Sequence, residues 1–328
     1  MRPFAYARPT DAADAVEQAS RNPDARYLAG GTNLVDLMKL RIESPDLLVD
    51  VTGLGLDAVE ESDGVLRIGA LARNSDVAAD RVVRERFAAV SQALLSGASG
   101  QLRNAATAGG NVLQRTRCAY FTDVSKPCNK RHPGSGCPAR VGEHHNLAIL
   151  GASEQCIATH PSDFAVALAA YDARLEVQTA DGIRDVALAD FYLPVGDSPD
   201  QEVALQHGEL ITAIVLPAPP PSARAAYRKV RERASYAFAI GSVAVVVAMD
   251  GDTVVEVRVA LGAVASMPWR ARRTEDMLRG TTASPEEIAA AADAELSSAA
   301  PLPHNAYKVP LLRHLIVSTL SELTEVGR

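Results

Sequence analysis

Four cysteines fall within 39 residues of a 328-residue chain, spaced Cys118-x9-Cys128-x8-Cys137-x18-Cys156, and none occurs elsewhere. Scattered core cysteines would not gather this way, so the set is a candidate for thiol chemistry, and three chemistries compete for it. Disulfides suit a small exported domain. This chain is long enough to build hydrophobic cores, and its start, Met1-Arg2-Pro3-Phe4-Ala5-Tyr6, lacks the apolar stretch of a signal peptide. Structural zinc favours close Cys-x2-Cys pairs, and none is present. Wide spacing on one loop suits a cubane cluster, in which each thiolate reaches a different iron, and four thiolates meet the need of a 4Fe–4S centre. The run is not one of the standard ferredoxin spacings, so all three readings stay open on spacing alone. His132, His144, His145 and His160 stand nearby as further metal-ligand types or as ordinary loop polar groups.

A second chemistry sits in two double-glycine turns. Leu28-Ala29-Gly30-Gly31-Thr32-Asn33-Leu34 is echoed by Thr107-Ala108-Gly109-Gly110-Asn111-Val112-Leu113. A diglycine between strand and helix lets the backbone pass close to a ligand, because no Cβ intervenes. Successive N–H groups and the helix start favour an anion there, and a pyrophosphate is the natural guest. Neither GxGxxG nor Gly-Lys-Ser/Thr is present in these turns, so they are neither a Rossmann fingerprint nor a P-loop. Each turn taken singly is more often a tight structural turn. Basic residues gather nearby: residues 101–145 carry Arg103, Arg115, Arg117, Lys126, Lys130, Arg131 and Arg140 against Asp123 and Glu143, inside a chain of net charge −7. A second run is Arg228-Lys229-Val230-Arg231. These charges suit cofactor phosphates, an anionic cluster, an acidic partner or simply a solvated surface.

The elements that must position these loops alternate in type. Asp11 is placed to cap a helix running to residue 20. A strand over 26–29 ends at the first diglycine, a helix follows over 32–40, and strands are expected over 47–51 and 65–71. Apolar spacing predicts one helix over 76–95. Residues 115–145, with Pro127, Pro133, Pro138, Gly134, Gly136 and Gly142, form a long irregular loop, which inside a compact domain is usually functional. A helix over 163–171 precedes a hairpin, 175–178 with 183–186, about Asp181-Gly182. Pro217, Pro219, Pro220 and Pro221 mark a linker. Beyond it come strands over 237–249 and 253–265 and helices over 271–278, 285–296 and 307–323. The apolar run 243–249 is far too short to span a membrane. The negative balance disfavours bulk attraction to nucleic acid.

These strings resemble a known family. Tyr27-Leu28-Ala29-Gly30-Gly31-Thr32-Asn33-Leu34-Val35-Asp36-Leu37-Met38-Lys39 resembles the first FAD loop of the medium subunit of the xanthine dehydrogenase, or molybdenum hydroxylase, family. Gly100-Gln101-Leu102-Arg103-Asn104-Ala105-Ala106-Thr107-Ala108-Gly109-Gly110-Asn111 resembles its second. His160-Pro161-Ser162-Asp163 and Tyr227-Arg228-Lys229-Val230 with Ala234-Ser235-Tyr236-Ala237 also match. Most family members lack the cysteine loop. Its Pro127-Cys128-Asn129-Lys130-Arg131 and Gly134-Ser135-Gly136-Cys137 strings are similar to the FAD and iron–sulfur subunit of bacterial periplasmic aldehyde oxidoreductases.

The resemblance implies an α+β fold. A two-part vanillyl-alcohol-oxidase-type (PCMH-type) FAD-binding domain would cover residues 1–218, with a cluster-binding loop at about 115–156. An α+β domain like the C-terminal domain of carbon monoxide dehydrogenase flavoproteins would cover 222–328. It implies an oxidoreductase subunit that passes electrons from partner 2Fe–2S clusters to FAD and an external acceptor. Leu28, Ala29, Gly30, Gly31, Thr32, Asn33, Leu34, Thr107, Gly110, Asn111, Ile157, Asp163 and Lys229 would bind FAD, and Cys118, Cys128, Cys137 and Cys156 would bind a 4Fe–4S cluster. No side chain is expected to act as nucleophile or general base. The implied partners are a large molybdenum-cofactor subunit and a small 2Fe–2S subunit, in a heterotrimer or a multiple of it. The expected location is the cytoplasm, or the periplasm by co-export with a signal-bearing partner. Other readings are the middle subunit of a 4-hydroxybenzoyl-CoA reductase-like enzyme, a self-contained FAD oxidoreductase, and a zinc-bearing interaction module.

Overall fold

Three sheets follow one another along the computed structural model, which describes residues 1–325. In the first, β1 (Ala5–Ala7) and β2 (Ala25–Leu28) flank β3 (Leu47–Asp50), all parallel. Parallel neighbours need crossovers, and helices Ala12–Ser20 and Leu34–Lys39 lie within them. The Asp11 side chain accepts the Asp14 N–H and caps the first helix. Ala15, Val16 and Ala19 of that helix close a small core against Val49 and Val51.

The second sheet is antiparallel, in the order β4-β5-β8-β6-β7. Its strands are β4 (Val59–Ser62), β5 (Val65–Gly69), β6 (Arg174–Thr179), β7 (Gly182–Ala187) and β8 (Leu210–Leu216). All the chain between β5 and β6 leaves this sheet, and it carries the second diglycine turn, the cysteine loop and the helix Asp163–Ala170. That helix is buried along almost its whole length, with Phe164, Val166 and Leu168 in one core with Phe87 and Tyr171. The third sheet has the order β12-β11-β10-β9, with β9 (Arg224–Val230), β10 (Gly241–Asp250), β11 (Thr253–Gly262) and β12 (Trp269–Arg270). Helices Arg272–Leu278, Pro285–Leu296 and Lys308–Glu325 pack on it around a core that includes Val243, Val245, Leu261, Ile288 and Ile316. Among the described residues, no helix is long and apolar enough to cross a membrane.

Two sequence expectations change. The single helix over 76–95 is three: Asn74–Ala79, Arg81–Arg86 and Ala88–Ser96. Asp80 adopts ψ 138 and its side chain accepts the Val83 N–H, ending one helix and capping the next. The apolar period continues through the break, so spacing alone could not reveal it. The hairpin turn is Ala180-Asp181 rather than Asp181-Gly182, because Thr179 pairs with Gly182. Strands β1, β4, β8, β9 and β12 were not read from the sequence as strands; β8 is a near-continuous apolar run, ambiguous between strand and buried helix by periodicity. The proline run at 217–221 lies between β8 and β9. The last three residues of the expected 222–328 domain lie outside the described residues.

Candidate functional site

The two diglycine segments meet, although Gly109 and Gly110 lie in the first turn of the helix Ala108–Val112 rather than in a tight turn before it. Gly30 sits so close to the second loop that a Cβ there would fall 2.8 Å from the Ala105 carbonyl carbon and nearer still to its oxygen. Gly31 adopts φ +71, a conformation glycine takes without steric cost. Thr107 caps the helix Ala108–Val112 by accepting the Gly110 N–H, and the Ala108 and Gly109 N–H groups bond to Ala72 and Ala70, seating the second turn beside the end of β5.

Two cavities open on either side of this junction, one of about 510 Å³ and one of about 490 Å³, and Thr32, Gly110 and Gln114 line both. The site is therefore long and two-ended, with the diglycine turns at its waist. The first cavity includes Tyr27, Leu37, His160 and Tyr192; the second includes Leu94, Phe164, Asp163, Lys229 and Phe238. This shape suits two ring systems joined by a diphosphate. Polar atoms wait along it: Asn33 Nδ2, Asn74 Oδ1 and Arg117 Nε are buried without a partner on residues that line these cavities. Burying an unpaired polar group is costly, so these atoms are placed to meet a ligand.

The predicted contacts distribute clearly. Ala29, Gly30, Gly31, Thr32, Asn33, Leu34, Thr107 and Gly110 line the first cavity. Asn111, Asp163 and Lys229 line the second, with Thr32 and Gly110 shared. Leu28 and Ile157 line neither; Leu28 lies behind Gly31, and Ile157 is packed among the cysteines while Ala158, Thr159 and His160 reach the first cavity.

At the second cavity a buried ion pair is held by three elements. Lys229 Nζ donates to Asp163 Oδ2 at 2.7 Å, and Tyr227 Oη donates to Oδ1 at 2.5 Å. Tyr227 and Lys229 are two residues apart on β9 and so share a face. Burial, followed by the Asp163 charge, pushes the Tyr227 phenol well above its usual range. Asp163 is fixed from its own side, since Ser162 caps the helix and its hydroxyl donates to Asn111 Oδ1 at 2.7 Å. Tyr227 is a positioning residue that sequence reasoning assigned no role, although it stands in a quoted string. Arg117, which the sequence placed among the charges suiting an anionic guest, lines the second cavity, over the Phe238 ring at 5.1 Å and bonded to Asp36 at 3.0 Å.

The four cysteines line one narrow cavity with Tyr120, Phe121, Lys130 and Ala139. All are free thiols; Cys137 is half-buried and the others are buried. The two strings that frame the loop lock together. Asn129 N–H donates to Gly136 O at 3.0 Å, Gly136 N–H returns to Asn129 Oδ1 at 2.6 Å, and Cys128 N–H donates to Ser135 Oγ at 2.9 Å. Asn129 Nδ2 then reaches Gln155 O, tying the loop to the residue before Cys156. Burial raises the Cys118 thiol pKa, and raises that of Cys156 to about 11 although Lys130 opposes it. Among the described residues, no group of three or more His, Cys, Asp or Glu is arranged to hold a single metal ion.

His144 and His145 have structural roles. His144 Nδ1 bonds to Gly142 O, its Nε2 accepts the His304 N–H, and His145 stacks on Tyr307. Burial lowers the His160 pKa to about 4. The local basic surplus is largely consumed within the chain. Arg115 pairs with Glu43 and Glu202, Lys130 with Glu202, Arg117 with Asp36 and Arg140 with Glu154.

Comparison with known proteins agrees with this geometry. Residues 2–219 match the FAD binding domain in molybdopterin dehydrogenase, and residues 225–323 match the CO dehydrogenase flavoprotein C-terminal domain. The chain is 51% identical to the aldehyde oxidoreductase FAD-binding subunit PaoB of Escherichia coli K12, covering 98% of each chain. It is 29% identical to the carbon monoxide dehydrogenase medium chain of Afipia carboxidovorans, over 85% of this chain and 80% of that one. Among solved structures, reconstituted CO dehydrogenase from Oligotropha carboxidovorans superposes with a TM-score of 0.79 at 25% identity, covering 99% of each chain. The α+β architecture expected from the sequence is the observed one, and the chain belongs to the FAD-binding medium subunits of the molybdenum hydroxylase family of oxidoreductases.

Proposed function

We propose that this chain is the FAD-carrying electron-transfer subunit of a molybdenum-dependent aldehyde oxidoreductase, and that Cys118, Cys128, Cys137 and Cys156 hold a 4Fe–4S cluster. The observation that carries the proposal is the pairing of two sites: a two-ended cavity with both diglycine turns at its waist, and four free thiols around one adjacent pocket. Similarity to the aldehyde oxidoreductase subunit supports the substrate class of the whole assembly. The molybdenum cofactor and 2Fe–2S clusters would reside on large and small partner subunits, in the cytoplasm or co-exported to the periplasm.

FAD supplies redox chemistry that accepts electrons singly and passes them on in pairs. The chain's own residues supply position. Gly30, Gly31, Thr32, Thr107 and Gly110 would hold the diphosphate at the waist. In the second cavity, Asp163 offers a fixed acceptor and Lys229 a fixed donor, a set complementary to a ring edge that carries an N–H beside carbonyls. The flavin ring is accordingly assigned to that end and the adenosine to the first cavity. For the thiols, a single tetrahedral ion needs all four sulfurs at about 2.3 Å from one centre. A cubane spreads its ligands over four irons, one cysteine each, and the four thiols line one pocket.

The test is anaerobic purification of the full chain, followed by a visible spectrum and assays for flavin, iron, sulfide and zinc. Flavin bands with a bleachable shoulder and about four irons per chain are expected. Flavin without iron in a protected sample would remove the cluster and keep the FAD subunit. Zinc without flavin would overturn both.

A further inference from the structure

The wall between the two sites is ionic and turns on one carboxylate. Glu202 lies between β7 and β8, and its Oε2 accepts from Arg115 Nε at 2.6 Å while its Oε1 pairs with Lys130 Nζ at 2.7 Å. Arg115 follows directly on the second diglycine helix. Its backbone N–H donates to Asn33 Oδ1 of the first turn at 3.2 Å, and its Nη1 reaches Glu43, which in turn binds Arg26 of β2. Its guanidinium also lies 4.7 Å from the centre of Phe121, a residue of the cysteine pocket. Lys130 belongs to the cysteine loop, is buried, and bonds to Pro199 O at 2.8 Å. With Ala158 it lines both the cysteine pocket and the first cavity. Burial opposes charge on Glu202, yet Arg115 and Lys130 overcome it and hold the carboxyl pKa below its ordinary value.

We propose that Glu202 is a positioning residue that couples the two sites. By binding Arg115 and Lys130 at once it sets the FAD turns and the cysteine loop in register, so that order in one site favours order in the other. Linkage makes such coupling reciprocal for binding. The inference rests on FAD occupying the two-ended cavity and a cluster occupying the cysteine pocket.

The test compares four full-length chains: wild type, Glu202→Gln, Lys130→Met and the double variant. FAD affinity is measured by fluorescence titration of flavin-depleted protein, and iron is assayed separately. Each single substitution should weaken FAD binding by roughly 10- to 150-fold, the range for losing a hydrogen bond to a charged group. Once Glu202→Gln is present, Lys130→Met should add no more than about twofold, because the two residues act as one unit. Fully multiplicative effects would mean that Lys130 acts on FAD without Glu202 and would overturn the proposal; so would unchanged affinity in both single variants. These titrations need no iron, so an iron-free wild-type chain would refute the cluster reading while the affinities still judge the coupling. If Glu202→Gln fails to fold, Glu202→Asp, which keeps the charge and shortens the reach, takes its place under the same non-additivity criterion.

Discussion

Gly30→Ala is the sharpest perturbation of the FAD site, because the obstacle it meets is backbone. The new Cβ would fall 2.8 Å from the Ala105 carbonyl carbon, closer to its oxygen, and 3.2 Å from Ala106 Cα. No flexible side chain can swing aside, so the two turns must separate. Overpacking of this kind costs about 1–3 kcal/mol, and the displaced turn carries the waist of the cofactor site. If that cost falls on the bound form, FAD affinity drops by about 5- to 150-fold. Gly110→Ala is the matched comparison, since its Cβ would meet only the Thr107 hydroxyl at 3.0 Å, the end of a side chain; a smaller loss is expected there. The assay is FAD titration into flavin-depleted protein, with the melting temperature of each apo-chain recorded. A Gly30→Ala chain that binds FAD as tightly as wild type would refute the reasoning that the two turns grip the cofactor from contact with each other.

Three further outcomes follow from other parts of the structure. Lys229→Met strands the buried Asp163 carboxylate with Tyr227 alone, and breaking such a pair costs about 3–5 kcal/mol; urea unfolding that shows under about 1 kcal/mol of change would mean the pair is effectively solvated. Cys128→Ser should abolish bound iron while the chain still takes up FAD at saturating concentration, and loss of both in a chain with an unchanged melting temperature would argue against separate sites. Lys308 is buried with its Nζ on the carbonyls of Leu147 and Ala263, and burial lowers its pKa from 10.5 to about 7. Between those values the unfolded chain holds a proton that the folded chain lacks, so this residue makes stability rise with pH across that window, by at most about 1.4 kcal/mol per pH unit. Lys308→Met should flatten that slope in urea unfolding, and an identical slope in both proteins would show that the folded chain keeps Lys308 charged.

Much of the local structure was legible because it is written in local chemistry. Asp11 as a cap, the turn at Gly30-Gly31, the irregular cysteine loop and the helix Pro285–Leu296 all depend on residues within a few positions of one another. The three-helix break at Asp80 escaped because an extended residue inside a continuous apolar period leaves no gap in that period. Glu202 escaped for a different reason. Its neighbourhood in sequence is unremarkable, and its partners are 87 and 72 residues away at Arg115 and Lys130.

What the sequence determined by itself was the inventory: two diglycine segments able to admit a diphosphate, and four thiols on one loop. Such features follow from residue type and short-range sterics, which do not depend on the rest of the chain. What only the tertiary structure decided was their conjunction. The two turns press against each other at Gly30 and Ala105, β9 brings Tyr227 and Lys229 to Asp163 across more than sixty positions, and one carboxylate stands between the cofactor cavity and the cysteine pocket. Those contacts exist because burial forces charged groups from distant segments to find partners when the sheets and helices close, and no short-range pattern encodes which partner each will find.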